Sequence, residues 1–260
     1  MPTSTVDPAP ATDAGRAARE ALLTLFVVTA LASALYWLGQ AVPFIRDNLH
    51  GFIAVVFLYG PSVGARLSGL PFDYGHEGAL RLSATGRALS TLVLALLATW
   101  PVFVGGFFLF YSTACQPEAP RVAHWWWQTF APICPRWLGH LSPPLRLPAD
   151  FALLALSQVL VVALPEELFF RGYLWSRLAQ RWRGGRRFLG ATVGNTWLAT
   201  SALFAVGHVA VDLDPRRLVV FFPALVFGWM RARSDSIVPG LMFHALCNLL
   251  SDVLYETYFR

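Results

Sequence analysis

Residues 150–171 read DFALLALSQVLVVALPEELFFR, and this stretch decides the fold. From Phe151 to Pro165 it carries no charge and is apolar enough to enter a bilayer. It then meets two adjacent carboxylates, Glu166 and Glu167, followed by Arg171. Ionisable residues at the edge of such a run are expensive and mark function by default. Glu167 and Arg171 stand four apart and can pair on one helix face. Glu166 points about 100° away and is left without a local partner. Pro165 removes a backbone bond and is expected to break the helix just before the carboxylates. The competing explanation is a juxtamembrane charge cluster that merely marks a helix end.

The rest of the chain has the same character. Apolar residues make up 56% of 260 positions and charged residues 13%, against about 25% in an ordinary soluble domain. A soluble core of this length could not hide so much apolar surface, so lipid is the expected solvent. Six further apolar segments flank the quoted one: residues 21–39, 49–65, 88–111, 191–210, 218–230 and 237–258. Gly60 and Gly64 in the second have the spacing of small residues that let helices pack closely. The expected fold is an all-α membrane protein of about seven transmembrane helices with its site in the bundle. Residues 1–20 read as a disordered cytoplasmic tail, 21–149 as amino-terminal helices with a long extracytoplasmic loop, and 150–260 as the catalytic helices of a single membrane domain.

Charge sets orientation and excludes one class of partner. All 20 basic residues are arginine, scattered through loops with no stripe interleaved with aromatics, so nucleic acid is not an expected partner. The densest cluster, Arg171, Arg177, Arg181, Arg183, Arg186 and Arg187, is expected in the cytoplasm, which puts the amino terminus there too. Arg216 and Arg217 fall on the opposite side. The same alternation makes residues 112–149 extracytoplasmic. Cys115 and Cys134 fall in that loop, where either a disulfide or two free thiols is compatible with the sequence. Trp125, Trp126, Trp127 and Trp137 suit the membrane–water interface.

Two further motifs lie on later segments. Phe204 and His208 share a helix face by their four-residue spacing, and so do His244 and Asn248. A lone histidine in an apolar helix is usually an interhelical hydrogen-bonder. Two histidines, an asparagine and a free carboxylate on three membrane segments point instead to a reactive site. Cys247, on the His244 face, reads as a packing residue rather than a thiol nucleophile. Asp212, Asp214 and Asp252 read as ordinary interface residues.

Glu-Glu-xxx-Arg, Phe-xxx-His and His-xxx-Asn, in that order on apolar helices, resemble the CAAX protease and bacteriocin-processing (CPBP) family of intramembrane endopeptidases. The resemblance spans roughly residues 150–258, and no named position departs from the pattern. It implies amide hydrolysis by water, with Glu166 as general base, His208 orienting the water, and His244 and Asn248 stabilising the oxyanion. Glu167 and Arg171 would support them, with Phe204 packed beneath His208. No cofactor is implied. The alternative is zinc held by Glu166, His208 and His244, although no HExxH helix is present. The implied partners are the lipid bilayer and a membrane-anchored or lipid-proximal polypeptide, and the implied location is a bacterial inner membrane. A polytopic transporter would use similar residues but usually shows repeated halves, which this chain lacks. A catalytically silent scaffold would have lost a motif residue.

Overall fold

The computed structural model describes residues 11–74, 85–116, 133–139 and 144–259. Among the described residues eight α-helical segments follow one another: α1 (Ala11–Ala41), the short α2 (Pro43–Asp47), α3 (Leu49–Ser68), α4 (Thr85–Ala114), α5 (Phe151–Arg181), α6 (Asn195–Asp212), α7 (Phe221–Ser234) and α8 (Val238–Tyr258). Between α5 and α6 a small antiparallel hairpin pairs β1 (Arg186–Phe188) with β2 (Ala191–Val193). The all-α membrane architecture stands, but the number of spans differs from the seven expected. Among the described residues five helices, α1, α3, α4, α5 and α8, are long and apolar enough to cross a membrane. The expected sixth span is carried by α7, which has 14 residues. The expected fifth opens in β2, and its helix starts only at Asn195.

The outer surface is that of a protein in lipid. Phe26, Leu97 and Leu109 are each at least 70% exposed, which water would penalise heavily. The buried core is aromatic: Phe57, Phe169, Phe170, Tyr173, Phe204, Phe227 and Phe243 form one cluster linking α3, α5, α6, α7 and α8. Gly60 and Gly64 serve the close approach their spacing suggests. A Cβ on Gly60 would run into Val28, and one on Gly64 into Thr24 and Glu20, so α3 lies directly on α1.

α1 begins at Ala11, inside the segment expected to be a disordered tail. Residues 11–20 hold four alanines, two arginines and one glutamate, good helix formers that favour extending the span. Glu20 is also anchored, since its carboxylate lies 3.4 Å from Arg177 Nε and accepts a hydrogen bond from the Tyr173 hydroxyl. Arg171 and Arg177 are therefore not loop arginines. Both are buried inside α5 with carboxylate partners.

A second correction concerns Pro165. α5 passes through it unbroken, because the turns on either side are wound more widely. Gln158–Ala163 and Leu168–Leu174 are π-helical, and the amide of Leu164 donates to the carbonyl of Val159, five residues back. A wide turn ahead of proline relieves the clash between its ring and the preceding carbonyl. Such windings occur preferentially at functional sites.

At the far end of the bundle Cys115 and Cys134 form a disulfide. Trp137 follows it and pairs with Phe259, packed among Phe107, Phe108, Tyr111 and Tyr258. The disulfide thus ties the end of α4 to the Cys134–Arg136 turn, and Trp137 beyond that turn packs on the end of α8. Trp125, Trp126 and Trp127, expected at the interface, lie outside the described residues.

Candidate active site

The four-residue α-helical turn Leu164–Glu167, between the two wide windings, carries both glutamates. Their fates differ. Glu167 is fully buried, and its Oε1 lies 2.9 Å from Arg171 Nη1. Arg171 is buried as well. It donates through Nη2 to the Ala224 carbonyl at 3.3 Å, and its guanidinium lies 4.3 Å from the centre of the Phe204 ring and 4.9 Å from that of Phe227. A buried ion pair survives only with such extra partners, because each charge has lost its water. Gly240 lets α8 close over this pair, since a Cβ there would stand 3.1 Å from Glu167 Oε2.

Glu166 faces the other way, into the space between α6 and α8. Its Oε2 lies 3.8 Å from His208 Nε2 and 3.9 Å from His244 Nε2. That oxygen has no hydrogen-bond partner among the described residues, although its surroundings bury it. The Glu166 and His208 side chains keep 17% and 23% of their surface, whereas His244 keeps 8%. The accessible side of the site is therefore that of Glu166 and His208.

The two histidines are held differently, His208 through its outer nitrogen and His244 by stacking. His208 Nδ1 lies 2.9 Å from the carbonyl of Phe204, one turn earlier. A carbonyl can only accept, so Nδ1 carries the hydrogen and, in the neutral ring, Nε2 presents its lone pair toward Glu166. His244 is stacked on Phe227, centroids 4.9 Å apart and planes inclined by 17°. Its Nδ1 lies 3.4 Å from Glu167 Oε1, close enough for an ion-pair contact but not aligned as a hydrogen bond. Phe204 packs on both imidazoles, at 4.3 Å from His208 and 6.2 Å from His244.

Asn248 sits one turn beyond His244 on α8. Its Nδ2 donates to Gln158 Oε1 at 2.9 Å, and Gln158 Nε2 donates to Asp252 Oδ2 at 3.3 Å. Asp252 is thus part of a polar relay rather than a simple interface residue. Gln158 opens the first wide winding of α5, and sequence reading passed over it. The available signal was a single amide in the middle of an otherwise apolar span. Phe227 was equally illegible, since one phenylalanine among 20 carries no mark. Cys247 is a free, half-buried thiol packed against the aromatic core.

Glu166, His208 and His244 meet, while Asn248, one turn along α8, is held by Gln158. Three helices bring a carboxylate and two imidazole nitrogens to one partly accessible point, backed by a buried ion pair. Such a set can deprotonate and orient a nucleophile. Comparison with curated proteins and with solved structures found no significant match. Residues 148–250 match the family described as Rce1-like, type II CAAX prenyl endopeptidase Rce1-like. The matched segment contains the site residues from Gln158 to Asn248, and Asp252 lies just beyond it. Over this segment, 103 of the 260 residues, the chain is similar to the Rce1-like CAAX prenyl endopeptidases, in agreement with the resemblance of its motifs to the CPBP family.

Proposed function

We propose that the chain is an intramembrane endopeptidase in which Glu166 activates water, with no metal in the reaction. The observation carrying this reading is the spacing of Glu166 Oε2 from His208 Nε2 and His244 Nε2, 3.8 and 3.9 Å. One water molecule hydrogen-bonded at about 2.8 Å to each of these groups spans such gaps. His208 Nε2 accepts one hydrogen of the water, and Glu166 removes the other as the oxygen adds to the scissile carbonyl carbon. His244 and Asn248 supply N–H donors to the oxyanion that forms. Glu166 then returns its proton to the amide nitrogen, the C–N bond breaks, and a carboxylic acid and an amine leave, the acid passing its proton to the amine. Arg171 holds Glu167, and Glu167 faces His244 Nδ1, so the supporting pair fixes the donor ring.

Zinc fits less well. Ligands of a tetrahedral zinc at about 2.0–2.1 Å stand about 3.4 Å apart, closer than Glu166 stands to either histidine. Among the described residues no three His, Cys, Asp or Glu side chains form a metal-holding group.

The substrate in this reading is a membrane-anchored or lipid-proximal polypeptide, cut in its tail or anchor. Its support is the family match and the place of Glu166, His244 and Asn248 on two bilayer-length helices. The arginine bias supports a cytoplasmic amino terminus in a bacterial inner membrane. The disulfide, at the opposite end of the bundle from the arginine-bearing hairpin, agrees with an oxidising compartment there.

The test is cleavage of a lipid-anchored reporter in proteoliposomes. Glu166→Gln keeps volume and should cost about 10²–10⁴-fold in rate while insertion is unchanged. Activity within about tenfold of wild type would overturn the assignment. Strong chelators should leave the wild-type rate intact. Loss on chelation with recovery on added zinc would replace the glutamate mechanism with a metal one.

A further inference from the structure

Away from the two glutamates, the β1–β2 hairpin folds against the start of α4 and the end of α7. Arg87, Arg187 and Arg233 converge there with Gly190 around a cavity of about 350 Å³. A second cavity, about 640 Å³ and almost wholly apolar, runs along α4 and α7. Leu94 and Ala98 line it on one side, and Val226 and Trp229 on the other. Arg233 lines both cavities, and the neighbours Leu189 and Gly190 line one each.

We propose that the joined cavities bind one anionic glycerophospholipid of the surrounding bilayer, its phosphate among Arg87, Arg187 and Arg233 and one acyl chain along the groove. Charge complementarity carries the headgroup end. Three guanidinium groups drawn together at a membrane boundary repel one another unless an anion sits between them. Asp235, two residues from Arg233, is engaged by Arg231 at 2.8 Å.

Unmet hydrogen bonds identify what that anion must accept. Arg233 Nε and Trp229 Nε1 are both buried, and neither finds an acceptor among the described residues. The Arg233 guanidinium lies 5.5 Å from the centre of the Trp229 ring, so the two donors sit near each other at the junction. A phosphodiester followed by an ester carbonyl offers acceptors in that order, and a free phosphate would leave the apolar groove unused. Backbone geometry supports the junction. Gly190 has φ +79°, and a Cβ there would collide with the Arg233 guanidinium, which also donates to the Leu189 carbonyl.

The test uses the full chain equilibrated in bilayers of equal phosphatidylcholine and phosphatidylglycerol, then released for native mass spectrometry. Wild type should retain phosphatidylglycerol about 10²-fold in preference, the order expected for three arginines. Arg87→Gln with Arg187→Gln leaves the Arg233 contacts in place and should cut that preference to about tenfold or less. Ala98→Trp obstructs the groove without touching an arginine and should lower retention by about tenfold. Circular dichroism and a single monodisperse peak check that each variant is folded. Equal retention of the two lipids by wild type would overturn the proposal, as would an undiminished preference in the folded double variant. Displacement of phosphatidylglycerol by millimolar inorganic phosphate would assign a free anion site instead.

Discussion

The amide of Asn248 is held by Gln158, Nδ2 to Oε1 at 2.9 Å, so the orientation of the proposed oxyanion donor on α8 is set from α5. Asn248→Ala should lower kcat by about 10²–10³-fold, the usual cost of losing one such donor. Gln158→Ala leaves the donor present but free to rotate, and up to about 10²-fold in kcat should go with little change in KM. Gln158→Glu keeps the acceptor and should recover part of the loss. Steady-state kinetics on the lipid-anchored reporter separate these outcomes, and a pure KM effect in Gln158→Ala would exclude a positioning role.

The two glutamates should part company in stability. Removing either Glu167 or Arg171 strands the other charge in a fully buried place, which typically costs about 3–5 kcal/mol. Glu167→Ala and Arg171→Ala should therefore lose most folded protein on size-exclusion chromatography. Glu166→Ala should elute as wild type yet be inactive. The double variant Glu167→Leu with Arg171→Met should recover folded protein, since it leaves no charge unpaired.

The disulfide makes a chemical prediction. Denatured without reductant, the chain should take up one alkyl group, on Cys247, and after reduction three. A bridge between residues 19 apart is worth about 3 kcal/mol. Thermal unfolding should therefore start at lower temperature once it is reduced, with the Cys134–Trp137 segment leaving the ends of α4 and α8 first. An unchanged unfolding curve would mean that the aromatic cluster around Trp137 holds that end alone.

Acid should loosen the turn after α6. Arg216 grips both oxygens of Asp214, at 2.6 to 2.9 Å, and its amide donates to the same carboxylate at 3.0 Å. The Arg216 side chain foremost holds this carboxyl below the usual carboxylate range. A depressed value means that the contribution is complete above the unfolded value, about 3.9, and is lost as pH falls through the folded one. Protection of the Arg216 amide, corrected for intrinsic exchange, should drop below about pH 4. Asp214→Asn should show low protection at every pH.

What could be read from the sequence follows from what a membrane penalises. Glu166, His208 and His244 stood out because each is costly in an apolar helix, and the structure brings their polar ends together. Long uncharged runs gave away α1, α3, α4, α5 and α8. The misreadings share a physical origin. α7 is apolar without being long, so hydropathy overstated it. Residues 11–20 look polar and loose, yet they continue α1 because Glu20 is bound by Tyr173 and Arg177, more than 150 residues downstream. Gln158 is neutral, and its partner lies 90 residues away. Pro165 reads as a stop, and a winding that absorbs proline leaves no trace in composition.

Those wide turns also change how α5 tolerates a change of length. Each π winding holds more residues per turn than the α-helix around it, like an insertion that the helix has taken in rather than expelled into a loop. Loss of one residue from Gln158–Ala163 would let the ladder revert to ordinary α-helical bonding with Phe151–Ser157 facing nearly as before. Rewinding the same stretch as α-helix with every residue kept would instead swing Phe151–Ser157 by about 100° around the axis relative to the glutamates. The helix would keep its backbone bonds while Gln158 turned away from Asn248. The wide winding therefore tells a helix that can only cross the membrane from one that can also address its neighbour.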